Sequence, residues 1–319
     1  MRVMITGAAG FLGHRLSKAV IEQGALVSRA QEKTPITELC LVDVVDVQPP
    51  SMPGIEIKTR KGDLADPSFV AALAEEGFDS LFHLASYLTF HAEEDPARAF
   101  AVNVDALRRL MESADNVPKV VFTSSIAVFG GSLPESVGDE VAPQPETTYG
   151  SHKAINELLL ADHSRHGQVD GRSLRLPIVL TRPGKPQPAI SDRIASIIRE
   201  PLQGLDMAAP LTPETAIPVS SAGAAVAALL KLHDLPSGDL PTKRAFNLPS
   251  LTVTVAEMFD AVKRYGATGK ITYAADARMQ AIVDGWPSRF VSHWGTRLGL
   301  AADGDLDTLI SDYLDQKGV

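Results

Sequence analysis

A tyrosine and a lysine four residues apart, Tyr149 and Lys153, have side chains that can transfer a proton. They lie in the segment 147–160, TTYGSHKAINELLL, which predicts a helix. Positions i and i+4 share one helix face, so the ammonium group can lie beside the phenol and lower its pKa from the ordinary value of about 10. A phenol with a lowered pKa is a useful general base. Taken alone, the spacing is common, and an exposed pair at the start of an amphipathic helix is the simpler interpretation.

The composition limits the partners of this chain. Lysine and arginine total 30 and aspartate and glutamate total 39 among 319 residues, which gives a formal charge of −9 at pH 7. This sign is wrong for a protein that neutralises nucleic-acid phosphates or docks on anionic lipid. We therefore expect neither nucleic acid nor a membrane surface as a partner.

The single cysteine, Cys40, excludes an internal disulfide bond, and its apolar neighbours predict a small buried residue. The N-terminus leads directly into a strand pattern, without a basic region and a long apolar segment, and no run of 18 apolar residues occurs. The sequence thus predicts a protein of the reducing cytoplasm. The length fits two domains or one enlarged doubly wound domain.

The N-terminal segment predicts a dinucleotide site. A short apolar strand over 2–6 leads into a glycine turn, and a helix with an apolar face follows over 11–23. Gly7, Gly10 and Gly13 allow a tight turn, close approach of a pyrophosphate to the backbone and close packing of helix on strand. The helix N-terminus offers free N–H groups and a positive dipole to the phosphates. A purely structural turn is the alternative.

An acid ends the next apolar run, 39–42. In a Rossmann unit, a carboxylate at the position of Asp43 accepts hydrogen bonds from the ribose hydroxyls and repels a 2′-phosphate, which favours NAD over NADP. Its distance from the glycine turn exceeds the usual spacing of about 20 residues, and we assign the excess to a polar insertion around 29–37. The alternative is a surface acid at a strand end.

Later strand ends also carry polar or small residues. Asp63 and Leu64 follow a predicted third strand, 55–58, and Asp63 either meets the adenine amino group or caps the helix predicted over 67–75. Ala85 and Ser86 follow a fourth strand, 81–84, and are small enough for a cofactor to pass close by.

Strands and helices alternate through this half of the chain. A long helix is predicted over 97–114 and contains Asn103; Ser124 and Ser125 end the following strand, where a parallel sheet presents its ligands. The alternation predicts an α/β fold with a Rossmann-type doubly wound parallel sheet.

The composition of the sequence changes between 177 and 218, where eight prolines occur. Such a segment is typical of a binding region or a linker, and its apolar residues are too frequent for a disordered tract. We predict an NAD-binding domain over 1–172, to which 217–248 returns. A smaller substrate-binding domain is predicted from 173–216 and 249–319.

Metal and serine-nucleophile chemistry find little support. The histidines form no metal-ligand grouping beyond His163 and His166, whose polar helical surroundings predict a solvated face, so we expect no metal. A Gly-x-Ser-x-Gly elbow is also missing from the sequence.

Together these motifs resemble the extended short-chain dehydrogenase/reductase family, the NAD-dependent epimerases and dehydratases. The matching residues are GAAGFLG at 7–13, Asp43, Asp63 and Leu64, HLA at 83–85, Asn103, SSIAVFG at 124–130 and YGSHK at 149–153. They occur in the order and at the spacing of the family over nearly the whole chain.

The resemblance implies roles for individual residues. Tyr149 would be the acid/base, Ser125 would hold the reacting oxygen, and Lys153 would bind the nicotinamide ribose while lowering the tyrosine pKa. Asn103 would support the active-site backbone or its water. The implied cofactor is NAD, and the residues implied to line it are Gly7, Gly10, Phe11, Leu12, Gly13, Asp43, Asp63, Leu64, Ala85, Asn103, Tyr149, Lys153, Pro177 and Val179.

Departures from the family pattern narrow the reaction. Ile126 and Ala127 stand where sugar dehydratases of the family carry Asp and Glu, which disfavours dehydration. Ile178 stands where nucleotide-sugar epimerases usually carry an Asn that contacts the nucleotide phosphate, which disfavours a nucleotide sugar. Phe129 replaces a common Tyr and bears on specificity. Ser220 and Ser221 stand where many relatives have an Asp, a difference that the sequence does not explain.

The segment 176–186, LPIVLTRPGKP, is most similar to a branch of the family that oxidises a four-carbon sugar acid with NAD. This implies D-erythronate as substrate, oxidised at C2 to 2-dehydro-D-erythronate. Arg182 has a fork suited to the substrate carboxylate, with a surface or interdomain salt bridge as the alternative, and Arg193 is a second candidate. Ser86, Ser125 and Tyr149 would complete the substrate site.

Two other functions stay open. A sugar epimerase would reduce and reoxidise NAD within one turnover, and a regulator would bind NAD without chemistry. The set of Ser125, Tyr149 and Lys153 argues against the regulator, because a pure binder needs no activated phenol. The family often forms homodimers through two long helices, and 97–114 and 149–165 are the implied faces.

Overall fold

The computed structural model describes residues 1–49, 53–114, 116–180 and 189–317. In chain order the strands are β1 (Arg2–Thr6), β2 (Ala25–Val27), β3 (Lys33–Pro35), β4 (Glu38–Asp43), β5 (Glu56–Lys61), β6 (Ser80–His83), β7 (Lys119–Ser125), β8 (Asp170–Leu176), β9 (Ile178–Val179), β10 (Met207–Ala209), β11 (Ala216–Ser220), β12 (Ala245–Asn247), β13 (Leu251–Thr254) and β14 (Ile271–Tyr273). The helices are α1 (Phe11–Gln23), α2 (Pro67–Glu76), α3 (Thr89–Glu94), α4 (Pro96–Phe100), α5 (Ala106–Glu112), α6 (Thr148–Arg165), α7 (Ile190–Leu202), α8 (Ala222–Asp234), α9 (Val255–Arg264), α10 (Ala277–Asp284), α11 (His293–Arg297) and α12 (Leu306–Lys317).

The chain divides into two compact units. Unit one comprises Met1–Ser125, Thr147–Arg175 and Val226–Phe246, and unit two comprises Ile126–Glu146, Leu176–Ala225 and Asn247–Val319. These units differ from the predicted domains chiefly in residues 126–146 and 217–225, which cluster with unit two. The domain boundaries given above stay a prediction.

Unit one is built on a seven-stranded sheet with the strand order β12-β8-β7-β6-β1-β4-β5. Parallel pairing joins β1 to β4 and to β6, β4 to β5, and β6 to β7. The strand order therefore reverses at β1, which has β4 on one side and β6 on the other. A doubly wound sheet binds its ligand at the carboxyl ends of the strands beside such a switch point. The predicted fold class is confirmed.

The central strands read as apolar runs because both faces of the sheet are covered. Val3, Met4 and Ile5 of β1 are at most 1% exposed, and residues 39–42 of β4 are at most 4% exposed. Burial of this much apolar surface fixes the strand ends, and with them the side chains that follow each strand.

The predicted helix 97–114 is present as helical backbone over residues 96–112, but it contains a π-helical turn that the sequence did not indicate. The structure begins α4 at Pro96, with Asp95 as its cap, and inserts a π-helical turn at Ala101–Asp105 before α5. Asn103 lies in this turn, and its carbonyl oxygen accepts a hydrogen bond of 2.6 Å from Asn156 Nδ2 on α6. A side chain from another helix thus satisfies a carbonyl group within the widened turn.

Two smaller features of unit one also depart from the sequence analysis. The polar insertion at 29–37 is part of a hairpin in which β2 pairs antiparallel with β3. His166 is exposed, as expected for a solvated face, but His163 is only 9% exposed, so that prediction is wrong for His163.

Unit two contains a three-stranded sheet with the order β13-β11-β9 and a parallel pair formed by β10 and β14. Helix α9 begins with a capping box in which Thr254 and Glu257 satisfy each other's backbone N–H groups. Among the helices of the described part of the chain, none combines the length and the apolar character needed to cross a bilayer.

Candidate active site

The glycine turn joins β1 to α1 at the switch point. Gly7 has φ +74°, a backbone conformation that favours glycine, and a Cβ added there would lie 2.7 Å from the Ala85 nitrogen. A Cβ at Gly13 would lie 2.0 Å from the Gly7 carbonyl oxygen. Gly10 precedes α1 and has no side chain to cap it, so the first N–H groups of the helix can donate to an anionic ligand.

Asp43 ends β4 beside this turn. Its carboxylate accepts hydrogen bonds from the backbone nitrogens of Ala9, at 2.9 Å, and Val45, at 3.3 Å. These amides hold the carboxylate against the glycine turn and leave further lone pairs for a ligand.

A cavity of about 380 Å³ opens at these strand ends. Its lining residues are Gly7, Ala9, Gly10, Val42, Asp43, Val44, Val45, Gly62, Asp63, Leu64, Leu84, Ala85, Ser86, Tyr87, Arg98 and Val102. Small residues on one wall, a carboxylate at a strand end and an uncapped helix N-terminus are the groups that a dinucleotide requires. The residues present therefore fit NAD.

Asp63 lines the cavity but does not cap a helix. The cap of α2 is Asp66, which accepts a hydrogen bond of 2.8 Å from the Ser68 nitrogen. Asp63 instead accepts from the Ala65 nitrogen at 2.9 Å and forms an ion pair with Arg98. The capping interpretation was wrong, and a contact between Asp63 and adenine stays a prediction.

Helix α6 positions the catalytic candidates. Thr147 caps it by accepting a hydrogen bond of 3.0 Å from the Gly150 nitrogen, which places Tyr149 in the first turn. Ser125, at the end of β7, and Ser86, after β6, lie near the Tyr149 phenol, and hydrogen bonding with their side chains acts to lower its pKa. The structure thus brings together three hydroxyl groups that the sequence places on three different elements.

Lys153 lies one turn further along α6 and is 3% exposed. Its Nζ donates a hydrogen bond of 2.7 Å to the Thr123 carbonyl oxygen and lies 5.4 Å from the centroid of the Tyr149 ring. Burial lowers the pKa of Lys153 to about 7. The predicted proximity of the ammonium and the phenol is therefore observed.

The predicted lowering of the phenol pKa is outweighed by another effect. Burial raises the pKa of Tyr149 to about 12, although the hydrogen bonds with Ser125 and Ser86 act in the opposite direction. With a pKa of about 12 for Tyr149 and about 7 for Lys153, the phenol keeps its proton near neutral pH while the amine is readily deprotonated. Near neutral pH the reactive form, phenolate with ammonium, is a tautomer of the neutral pair.

Asn103 is 2% exposed and supports the loop after β6. Its Oδ1 accepts hydrogen bonds from the Tyr87 nitrogen at 2.6 Å and from Ser86 Oγ at 3.2 Å, and its Nδ2 donates to the Tyr87 carbonyl at 3.0 Å. These contacts hold Ser86 beside Tyr149. The role of Asn103 in supporting the active-site backbone stays a prediction that this geometry favours.

Other predicted residues do not join the cavity. Phe11, Leu12 and Gly13 form the first turn of α1, outside its lining. Pro177 and Val179 belong to unit two, where β9 pairs with β11, so their contact with the cofactor stays a prediction.

Two arginines, Arg182 and Arg193, are the candidates for binding the substrate carboxylate. Arg182 lies outside the described residues, and Arg193 Nη1 donates to Asp276 at 3.0 Å in a half-exposed ion pair of unit two. Ser221 caps α8 through a hydrogen bond of 3.0 Å from the Ala224 nitrogen, and its own nitrogen donates to Asp303 at 2.8 Å.

Sequence reasoning missed several residues of the site. Tyr87 and Arg98 line the cavity; Tyr87 directly follows the predicted Ser86, and Arg98 lies in the predicted helix 97–114, but neither was predicted as a site residue. Glu157 lies near Lys153 and was also missed. Its spacing of four residues from Lys153 was a readable signal. Within the described ranges, no cluster of three His, Cys, Asp or Glu side chains has a geometry for a metal ion.

The fold and the site define a class: a Rossmann-type enzyme with a Ser, Tyr and Lys set beside a dinucleotide cavity. Residues 3–218 match the family model described as the NAD dependent epimerase/dehydratase family. The match spans more than half of the chain, so the chain belongs to this family, as its motifs predicted. It is an NAD-dependent oxidoreductase, and its cofactor is NAD.

Similar proteins extend over the whole chain. D-erythronate dehydrogenase of Cupriavidus necator is 40% identical over 325 residues, which cover 100% of this chain and 99% of that protein. D-erythronate dehydrogenase of Haemophilus influenzae is 38% identical and covers 99% of each chain. Among solved structures, a nucleoside-diphosphate-sugar epimerase from Agrobacterium tumefaciens is 31% identical, with a TM-score of 0.92 over 99% of this chain and 94% of that one.

Proposed function

We propose that this enzyme oxidises a short sugar acid, D-erythronate, at C2 to 2-dehydro-D-erythronate. The observation that carries the proposal is the full-length similarity to two proteins named D-erythronate dehydrogenase. The arrangement of Ser125, Tyr149 and Lys153 supports it, because oxidation of an alcohol requires a base at the hydroxyl group.

The hydroxyls of Ser125 and Ser86 hold the substrate oxygen against the Tyr149 phenol in this proposal. Tyr149, as phenolate, takes the proton of the C2 hydroxyl while the C2–H bond breaks and the carbonyl forms. Lys153 stabilises the phenolate through its ammonium group. Bound NAD supplies the acceptor for the hydride.

The chain's own residues would hold NAD in defined places. The N–H groups at the start of α1 would bind the pyrophosphate, and Asp43 would accept hydrogen bonds from the adenosine ribose. The negative charge of Asp43 repels a 2′-phosphate, which selects NAD over NADP. Gly7 lets the turn pack directly against the backbone at Ala85, because a Cβ at Gly7 would lie 2.7 Å from the Ala85 nitrogen.

Arg182 is the residue that we propose for the substrate carboxylate. The guanidinium of Arg193 already pairs with Asp276, which itself caps α10. Moving Arg193 to a substrate would break that pair, so Arg182 is the better candidate of the two. A bidentate contact there would fix which carbon faces the nicotinamide.

An epimerase is the second candidate because the structural relative from Agrobacterium tumefaciens carries that name. Ile178 argues against a nucleotide-sugar substrate, since it is 3% exposed and cannot donate a hydrogen bond from its side chain. An NAD-binding regulator is the third candidate. It is disfavoured because a protein that only binds NAD does not require the pairing of Tyr149 and Lys153.

A screen for NADH formation over aldonic and hydroxy acids of three to six carbons, run with NAD and NADP in parallel, tests the proposal. We expect net NADH with D-erythronate and a preference for NAD. Interconversion of a sugar without net NADH would favour the epimerase. Tight NAD binding without turnover of any acid would favour the regulator, and a preference for NADP would contradict the role of Asp43.

We further propose a homodimer formed through α6 and the helices before it. Leu158 on α6 is 73% exposed and Phe100 on α4 is 41% exposed, so each of these helices presents a large apolar side chain to solvent. Leu158→Glu should convert a dimer to a monomer in light scattering, whereas a wild-type protein that is already monomeric would contradict the proposal.

A further inference from the structure

A buried carboxylate lies behind the proposed catalytic pair. Glu157 follows Lys153 by four residues on α6, so both side chains share a helix face, and Glu157 is 4% exposed. A carboxylate is rarely buried without partners, because removing its charge from water is strongly unfavourable.

Two partners hold Glu157 in one orientation. Its Oε1 accepts hydrogen bonds of 2.5 Å from Ser124 Oγ and 2.9 Å from Arg175 Nε, and its Oε2 accepts one of 2.7 Å from Arg175 Nη2. Arg175 is 2% exposed on β8, and Ser124 directly precedes Ser125. The carboxylate is thus fixed between two strands that lead into the site.

The surroundings of Lys153 give it little other support as a cation. Its Nζ donates to the Thr123 carbonyl and otherwise faces the rings of Phe122, at 4.6 Å from the centroid, and Tyr149. His83, on β6, hydrogen-bonds Thr6 Oγ1 through Nδ1 and is neutral, since burial lowers its pKa to about 3. Glu157 supplies the negative charge that raises the pKa of Lys153 against the effect of burial.

We propose that Glu157 is a positioning residue that keeps Lys153 protonated while Tyr149 is a phenolate. The inference rests on the proposed function, in which Lys153 stabilises that phenolate. Arg175 has a second part in it, because it holds the carboxylate in place and partly offsets its charge.

Glu157 acts on the equilibrium between two forms of the site, the neutral Tyr149 and Lys153 and the phenolate with an ammonium. Glu157 favours the ammonium form of Lys153 and therefore the tautomer with a proton on Lys153 and none on Tyr149. Without its charge, Lys153 loses its proton at lower pH and this tautomer becomes rarer. A shift of one pKa unit corresponds to about a tenfold change in the population of the reactive form.

The direct test follows the pKa of Lys153 by NMR of protein labelled with ¹³C at the lysine side chains, without substrate. The Lys153 signal is assigned by its loss in Lys153→Arg. Glu157→Gln should lower the pKa of Lys153 by about one unit, the size expected for one nearby charge, and Glu157→Asp should retain most of the wild-type value. Glu93→Gln is the matched control, because Glu93 accepts a hydrogen bond from the Thr148 nitrogen on the same helix without contacting Lys153.

The pH profile of turnover gives a second readout. Glu157→Gln should move the acid limb to lower pH and reduce kcat about tenfold, whereas a purely structural role would reduce kcat without moving the limb. If Glu157→Gln does not fold, the double variant Glu157→Gln/Arg175→Gln leaves no unpaired buried charge and should also lower the pKa.

An unchanged Lys153 pKa in a folded Glu157 variant would overturn the inference and leave the proposed function standing. Retained turnover in Tyr149→Phe would instead remove the proposed function, so the two failures are distinguishable.

Discussion

Two buried lysines lie at opposite ends of β7, and only one of them faces a group that can react. Lys119 begins the strand and is 1% exposed; its Nζ donates to the carbonyl oxygens of Val27 at 2.9 Å and His233 at 3.0 Å. Lys153 reaches the other end of β7 and lies over the Tyr149 ring. Burial lowers the pKa of both, to about 8 for Lys119 and about 7 for Lys153.

Both lysines have a lowered pKa, so a perturbed pKa alone does not identify a catalytic residue. Lys119 joins the end of β2 to the end of α8 by donating to backbone carbonyls, which is a structural role. Lys153 has a single carbonyl partner and a phenol that is itself hydrogen-bonded to two serines. The structural role of Lys119 and the proposed catalytic role of Lys153 are distinguished by the groups beside each ammonium, because both lysines are buried.

The largest expected effect separates the lysines by activity. Lys153→Met should reduce kcat with D-erythronate by about 10²- to 10⁴-fold, the range for loss of acid–base assistance. Lys119→Met should leave kcat per folded molecule unchanged. Steady-state NADH formation measures kcat for both variants. An equal loss of kcat in the two variants would contradict the distinction between a structural Lys119 and a catalytic Lys153.

Two aspartates at opposite edges of the sheet, Asp43 and Asp79, allow a second comparison between a site residue and a structural one. Asp43 holds the Ala9 nitrogen at the carboxyl edge, and Asp79 holds the Arg2 nitrogen at 2.7 Å at the amino edge. Asp43→Asn should weaken NAD binding about 10- to 100-fold, since hydrogen bonds to a charged group contribute about 1.5–3 kcal/mol. Titration calorimetry checks this, with Asp79→Asn as the control that should bind NAD like the wild type.

Stability should change in the opposite pattern from activity. Lys119→Met removes the donor from the Val27 carbonyl, whereas the His233 carbonyl keeps a hydrogen bond of 2.9 Å from Arg172 Nη1. An unsatisfied buried group destabilises by about 1–3 kcal/mol. We expect the free energy of unfolding in urea to fall by about this amount. An unchanged free energy of unfolding would show that Lys119 is not structural.

The pH dependence of stability isolates the same lysine. The pKa of Lys119 falls from 10.5 to about 8 on folding, so between these values the unfolded chain binds more protons and the contribution of Lys119 to stability rises with pH. Cys40 and Tyr149, whose pKa values burial raises to about 12, act in the opposite direction but are common to both proteins.

The difference in free energy of unfolding between the wild type and Lys119→Met should therefore grow from pH 8 to pH 10. Its slope should be at most about 1.4 kcal/mol per pH unit for one proton. A difference that is constant with pH would contradict the lowered pKa.

The sequence predicted the parts of the site that local geometry dictates. The glycine turn, the acid at the end of β4 and the i, i+4 pair on α6 each depend on a few neighbouring residues and a strand or helix period. These elements lie where they were expected, from Arg2–Thr6 and Phe11–Gln23 to Thr148–Arg165.

Features that depend on distant contacts could not be predicted. The π-helical turn at Ala101–Asp105 is supported by Asn156, which is more than 50 residues away in sequence. The Asp63 and Arg98 pair and the raised pKa of Tyr149 likewise depend on which elements pack together. Spacing shows that Lys153 can lie beside Tyr149, but only the packed structure shows that burial outweighs the neighbouring cation.

The most direct test of the central claim, proton transfer to Tyr149 beside bound NAD, is NADH formation from D-erythronate by Tyr149→Phe. The variant removes one hydroxyl group, and calorimetry should show NAD binding within a few-fold of the wild type. Turnover should be abolished while NAD binding persists. Retention of most of the activity would contradict it.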